Sequence, residues 1–465
     1  MKAIKKLVSL LLCTAVMMCL LPVSAFAEED DDTVTFDPNT DKVWSEAVYM
    51  VNTDTGDVVF KKNENKKMYP ASTTKIMTCV VALEHISDWD KKVTIPYDCY
   101  NEFYEGDENY SDPSNAAIEP LQSNITYKDC LYALMLPSAC EAANILAYNI
   151  GGGDMTKFVD MMNEKAAELG CTGTHFSNAH GLHRDDNYTT AEDLYKITKY
   201  AYDKFPKFKE ITSTYEYEMP ANESNPDGYS IYNTVSLIRP GSIYEYDYAY
   251  GTKTGTTDQA GRCLVSAAKD KYNYILVTMG APYRDKDGEY YDDWYSMVDA
   301  INLYNWAFTN FEMATIVTKE EQITEVKVEM GESATHVILT PEKEYTALMP
   351  KSVSTAGVQK VFKAYDTVQA PVEKGDVLGV MDVIFKGETV TTVNLVAANS
   401  VSRSDIEYYI EKAKKQMDET WFKAAVAGIV ILLICFIVTR TIENTKRRKK
   451  ASKEKRRFES YAKRR

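Results

Sequence analysis

Pro70-Ala71-Ser72-Thr73-Thr74-Lys75 is the stretch that decides the fold. It puts a hydroxyl and an amine three residues apart, which on a helix is one face and one turn. Ile76, Met77, Cys79, Val80, Val81, Ala82 and Leu83 follow, so the helix is apolar on nearly every face and belongs inside a domain. Burial strips an amine of its proton, and Lys75 can then act as base for Ser72. On this stretch alone the alternative stays open: Ser72 as a helix cap and Lys75 as a solvated first-turn residue.

The spacing by itself is weak, because it recurs at Ser266/Lys269, Ser452/Lys455 and Ser460/Lys463. Ser266 lies in the apolar run Cys263–Ala268, which reads as a strand, where residues three apart point to opposite faces. The other two pairs lie in a basic tail. Two further motifs add weight. Gly251-Thr252-Lys253-Thr254-Gly255-Thr256 precedes a turn and the apolar strands Cys263–Ala268 and Tyr274–Met279, and its cationic, hydroxylic strand suits a carboxylate. Between the two motifs, Leu136-Pro137-Ser138-Ala139-Cys140 breaks one helix, with Leu131, Leu134 and Met135, from another, with Ile145, Leu146 and Ile150. Ser138 sits at that break, where a side chain projects into a cleft.

In this order, Ser-x-x-Lys, Leu-Pro-Ser and Lys-Thr-Gly resemble the serine D-alanyl-D-alanine carboxypeptidases, the low-molecular-mass penicillin-binding proteins. Phe176-Ser177-Asn178-Ala179-His180-Gly181-Leu182, Tyr188–Leu194, and Asn233-Thr234 through Gly241 resemble the same family. The likeness is strong over roughly residues 40 to 310 and weaker to about 400. It implies an α/β (α+β) chain with the penicillin-binding and β-lactamase-like transpeptidase fold. A helical subdomain completes it, while short alternating strands from about 321 to 398 read as a small all-β C-terminal domain and the uncharged run Ala424–Thr439 as one C-terminal transmembrane helix.

The resemblance further implies that Ser72 attacks the terminal D-Ala-D-Ala bond of a peptidoglycan stem peptide and that Lys75 takes its proton. Ser138 relays a proton to the leaving amine, and Lys253 and Thr254 hold the free carboxylate. The backbone N–H groups of Ser72 and Thr256 form the oxyanion hole, and Arg239 supports the carboxylate site or is structural. β-Lactams are then covalent inhibitors, and no cofactor is needed. One position departs from the family: Cys140 stands where Ser-x-Asn would have asparagine, and a thiol is a weak donor beside an amide. Asn144 lies one helical turn further on. Two other functions remain alternatives, a β-lactamase and a non-catalytic penicillin-binding or wall-sensing protein.

At 465 residues the chain has room for two to three domains. Residues 1–27 read as a secretory signal peptide, with Lys2, Lys5 and Lys6 ahead of an apolar run and Ala25-Phe26-Ala27 at the cleavage site. Residues 28–43 read as an acidic mobile segment, 44–312 as the peptidase domain and 321–400 as the β-rich domain. A helical stalk over 401–420, a membrane span over 421–440 and a basic tail over 441–465 follow. From Arg440 onward there are 13 Lys/Arg against 3 Asp/Glu, while the whole chain is −15. Under the positive-inside rule the tail is cytoplasmic and the catalytic part extracytoplasmic, in a single-pass protein of the bacterial cell membrane. Beside a membrane span, the basic block reads as an orienting, lipid-facing patch and not as a nucleic-acid site.

Six cysteines remain between signal and span, without Cys-x-x-Cys spacing, and are expected mostly as free thiols. His180 and His183 stand three apart but lack a further ligand set with zinc spacing, so no metal is expected.

Overall fold

The computed structural model describes residues 36–103, 113–353, 355–385 and 387–462. The expected signal peptide, the front of the acidic segment and the last three tail residues lie outside them. The chain divides into two compact units, one holding residues up to Glu312 with Leu348–Lys351, the other holding the rest.

In the first unit, β1 (Ala47–Asn52) and β2 (Val58–Lys62) form a hairpin, and α1 (Lys75–His85) follows a 3₁₀ turn, Ala71–Thr74. Next come α2 (Tyr127–Met135), α3 (Cys140–Ile150), α4 (Met155–Glu168), α5 (Ala191–Lys204) and α6 (Pro206–Thr212). A small hairpin, β3 (Glu216–Met219) with β4 (Tyr229–Tyr232), leads to β5 (Ala249–Thr257), β6 (Gly261–Lys269), β7 (Asn273–Ala281) and α7 (Tyr295–Asn310).

The main sheet has the order β2-β1-β7-β6-β5 and its described pairings are antiparallel. Cys263 to Ala268 are all buried, although alternate side chains point to opposite faces. Both faces are covered: Ser266 Oγ meets Tyr304 Oη of α7 at 2.9 Å on one, and Tyr49 meets Tyr195 of α5 edge-on at 5.4 Å on the other. A strand covered on both faces carries a continuous apolar run, which is what the sequence has here.

α1 lies at the centre of the helical layer, with Lys75 through Leu83 all buried. α2 starts on a capping box, Thr126 Oγ1 accepting from Asp129 N–H and Asp129 Oδ2 accepting from Thr126 N–H. The described residues just ahead of 44 carry local structure. The Asp37 carbonyl accepts from Thr40 and Asp41 N–H, and Val43 is buried.

The second unit holds most of β8 (Phe311–Val317), β9 (Thr324–Glu329), β10 (His336–Pro341), the first half of β11 (Tyr345–Pro350), β12 (Gln359–Ala364), β13 (Thr367–Gln369), β14 (Val377–Phe385) and β15 (Glu388–Ala397). A six-stranded sheet in the order β12-β14-β15-β10-β9-β13 forms most of it. The β-rich stretch therefore starts about ten residues before the expected 321. α8 (Asp405–Asp418) and α9 (Thr420–Ala462) complete it. α9 runs unbroken through the apolar stretch into the basic tail, and an 18-residue window of it has mean hydropathy 2.6 with no burial.

Candidate active site

Ser72 lies in the 3₁₀ turn and Lys75 is the first residue of α1, so the pair straddles the junction of the two helix types. In a 3₁₀ turn residues i and i+3 eclipse each other. Lys75 Nζ accordingly reaches Ser72 Oγ at 3.0 Å. Lys75 is fully buried, and desolvation pulls its pKa below the usual lysine value, opposed by Cys140 and Glu141. Nζ also lies 3.5 Å from Cys140 Sγ and donates to the backbone carbonyl of His180.

α3 supplies Cys140 from its first position, next to a kink at Ser138 with φ +70°, a conformation uncommon outside glycine. Ser138 Oγ is buried and has no hydrogen-bond partner among the described residues, while the Ser138 carbonyl accepts from Ser114 Oγ. A buried hydroxyl without a partner is costly unless a ligand or water completes it. Beside Cys140, Glu141 is buried, and desolvation raises its carboxyl to about 7 against the hydrogen bond from Ala116 N–H.

β5 brings the third motif alongside. An ideal Cβ on Gly255 would meet Ser72 N at 2.9 Å and Thr73 N at 3.0 Å, so only glycine lets this strand approach the Ser72 turn so closely. Lys253 is fully buried, with Nζ on the Thr254 carbonyl at 3.0 Å. Desolvation and the nearby Lys75 ammonium hold its pKa well below the ordinary value. Thr254 Oγ1 meets Thr234 Oγ1 at 2.6 Å, and Thr234 N–H donates to the Leu136 carbonyl ahead of Ser138.

Thr256 is exposed and stands opposite Arg262 in the β5–β6 register. With Thr254, Arg239, Arg262, Tyr283 and Trp294 it lines a cavity of about 640 Å³. Ser72, Lys75, Ser138 and Lys253 are outside that lining, so Arg239 joins the threonines at the cavity and not the lysines.

Two residues drawn to this cluster escaped the sequence. His180 offers Lys75 its backbone carbonyl, a role no side-chain pattern announces, and its ring pairs with Glu102 at 2.9 Å. Glu102 carried no motif at all. Asn144 turns away from Lys75, its amide donating to the Cys99 carbonyl and to Glu102. Among the described residues no group of three or more His, Cys, Asp and Glu is placed to hold a metal ion. Their cysteines are free, with Cys79, Cys99, Cys130, Cys140, Cys171 and Cys263 buried.

Residues 34–283 match the family model described as D-alanyl-D-alanine carboxypeptidase, and residues 311–403 match the C-terminal domain of penicillin-binding protein 5. D-alanyl-D-alanine carboxypeptidase DacF of Bacillus subtilis is 27% identical over 414 residues, 88% of this chain and 97% of that protein. Penicillin-binding protein 5 from Haemophilus influenzae superposes with TM-score 0.57 at 24% identity, over 78% of this chain and 99% of that one. The Streptomyces strain K15 DD-transpeptidase superposes at 0.50 with 27% identity, over 58% of this chain and 98% of that one. Solved variants of that enzyme replace a serine and a cysteine two positions apart, the spacing of Ser138 and Cys140. Motif order, fold and family match agree, and the chain belongs to the D-alanyl-D-alanine carboxypeptidase family.

Proposed function

We propose that this serine-type carboxypeptidase removes the terminal D-alanine of peptidoglycan stem peptides through an acyl-enzyme on Ser72. The observation that carries the assignment is Lys75 Nζ, fully buried and 3.0 Å from Ser72 Oγ. A neutral amine there takes the serine proton as Oγ bonds to the scissile carbonyl carbon. The resulting oxyanion is met by the N–H groups of Ser72 and Thr256, each such donor contributing ~2.7–4 kcal/mol to the transition state. Collapse breaks the C–N bond, and Ser138 passes a proton to the departing D-alanine amine. Water then attacks the ester and frees Ser72.

Lys253 and Thr254 hold the substrate's terminal carboxylate, which selects a free C-terminus. β5 is an edge of its sheet, so its outer backbone groups are available to pair an extended peptide. Arg239, from the wall of the adjoining cavity, adds positive potential to that end. Cys140 faces the lysine where an amide would otherwise meet the substrate's peptide group.

α9 anchors the chain in the cytoplasmic membrane, with the peptidase outside and the basic end inside, the polarity favoured by its Lys/Arg block. Incubation with a diacyl-D-Ala-D-Ala peptide and, separately, a labelled penicillin tests the function. D-alanine release with a stable Ser72 adduct is the expected result. Rapid penicillin turnover would mark a β-lactamase, and neither activity a non-catalytic sensor.

A further inference from the structure

We propose that Glu102 is a positioning residue for the Lys75 base, acting through the ring and the backbone carbonyl of His180. The proposal rests on Lys75 being that base.

The argument starts at the His180 ring, which is fully buried. Its Nδ1 accepts the N–H of Leu182 at 3.1 Å, so the ring proton sits on Nε2, which faces Glu102 Oε1 at 2.9 Å. Burial disfavours the imidazolium, and the neutral ring with Nε2–H is the form this geometry selects. Held at both nitrogens, the ring cannot turn, and the His180 carbonyl stays on Lys75 Nζ.

The turn that carries this carbonyl has no slack on its other side. Asn178 Oδ1 accepts Gly181 N–H, and Gly181 has φ +83°. An ideal Cβ there would stand 2.0 Å from the Ala71 carbonyl oxygen, one residue before Ser72. The turn is thus wedged between the nucleophile's own loop and Glu102.

Glu102 gathers more than His180. Its Oε1 also accepts from Asn144 Nδ2 at 2.9 Å, one helical turn beyond Cys140 on α3, and its Oε2 faces Arg184 Nη2 at 3.3 Å. One carboxylate therefore ties together the helix bearing Cys140 and the turn bearing the His180 carbonyl. Burial opposes its ionisation, but the hydrogen bonds from His180 and Asn144 and the Arg184 charge hold it below the usual carboxylate range. It remains an acceptor at every pH where the enzyme would work.

The groups facing Lys75 are Cys140 and Glu141 from α3, Lys253 from β5 and His180, with Glu102 and Arg184 behind the ring. Removing the Glu102 charge, or letting the His180 carbonyl drift, acts on Lys75 in one direction. Each disfavours the ammonium, so the base limb of the acylation profile moves to lower pH while the plateau falls with the weaker, less aligned base.

The test compares the full chain in detergent with Glu102→Gln, which keeps shape and one acceptor, Glu102→Asp and Glu102→Ala. Acylation by labelled penicillin is followed against pH and normalised to titratable sites. Glu102→Gln should lower the plateau roughly tenfold, move the limb down, and leave KM for the peptide near wild type. Glu102→Ala should lower the plateau further, and Glu102→Asp should recover part of it. A variant series with fewer titratable sites but the wild-type rate and limb per site would reduce Glu102 to a structural role and overturn the proposal. Wild-type rates throughout, with the wild-type adduct on Ser72, would sink this proposal alone. Absence of that wild-type adduct would sink the base assignment on which it stands.

Discussion

Cys140 Sγ lies 3.5 Å from Lys75 Nζ, so the thiol that stands where the sequence pattern leads us to expect asparagine touches the proposed base. A thiol is a weak partner there, and one hydrogen bond within a formed site is typically worth ~1–3 kcal/mol, roughly 5- to 150-fold. Cys140→Asn should therefore raise kcat/KM on a D-Ala-D-Ala peptide, or leave it unchanged where the backbone has adapted to sulfur. Because Cys140 is fully buried, alkylation should be slow but should abolish acylation once made. Full activity of a demonstrably alkylated enzyme would remove Cys140 from the cleft.

As the proposed base, Lys75 should set the pH dependence. Its pKa lies below the ordinary 10.5, chiefly through desolvation, so the neutral base is populated earlier than for a free lysine. Acylation should rise with pH and level off before 10.5, and the fitted midpoint belongs to the Lys75–Lys253 pair jointly. Lys75→Arg, which cannot shed its proton, should lose at least ~10²-fold in acylation rate. A near-wild-type rate for Lys75→Arg would exclude the base role.

Ser138 separates stability from activity. Its Oγ is buried without a partner, so Ser138→Ala removes a desolvation cost and keeps a backbone that already tolerates a Cβ at φ +70°. The melting temperature should stay level or rise slightly, while kcat falls by ~10²–10⁴ through loss of the proton relay. Destabilisation together with normal turnover would reverse the assignment.

Lys253 makes the same point through pH. In the folded protein it releases its proton well below 10.5, so the unfolded chain binds more protons between the two values. Its contribution to stability accordingly rises with pH across that window and falls as pH drops toward the folded value. Lys253→Met should raise the melting temperature at neutral pH by roughly 2–6 °C, equivalent to ~1–2 kcal/mol, while weakening peptide binding. A lower melting temperature with unaltered KM would count against both claims.

α8 ends at Asp418 and α9 begins at Thr420. Truncation after residue 418 should give an active protein that no longer partitions with membranes. Protease added outside intact cells should leave the basic end of α9 untouched, and its removal would invert the proposed topology.

How far the sequence could be read depended on whether a signal lay in side chains or in backbone. Ser72 with Lys75, the break at Ser138 and the strands after Lys253 were visible because each couples a reactive group to an apolar period. The 3₁₀ geometry at Ser72 was not, since i,i+3 spacing is common to both helix types. The His180 carbonyl was invisible for a deeper reason: any residue has one, and only the turn at Gly181 brings this one to Lys75. Glu102 reads as one acid among many until tertiary contact gathers His180, Asn144 and Arg184 around it. The sequence left Arg239 as support for the carboxylate site or as a structural residue, and folding sends it to the cavity beside the threonines.

The buried thiols make the native state a kinetic shelter. Six unpaired cysteines, from Cys79 to Cys263, are sequestered while the first unit is folded. Global unfolding releases all of them at once, and fifteen fully paired arrangements then compete with refolding. In an oxidising solvent the chain therefore has a one-way exit from its native basin, while in a reducing one the same excursion can be retraced. Its lifetime under oxidising conditions is governed by how rarely it opens, a rate, more than by the depth of the folded well.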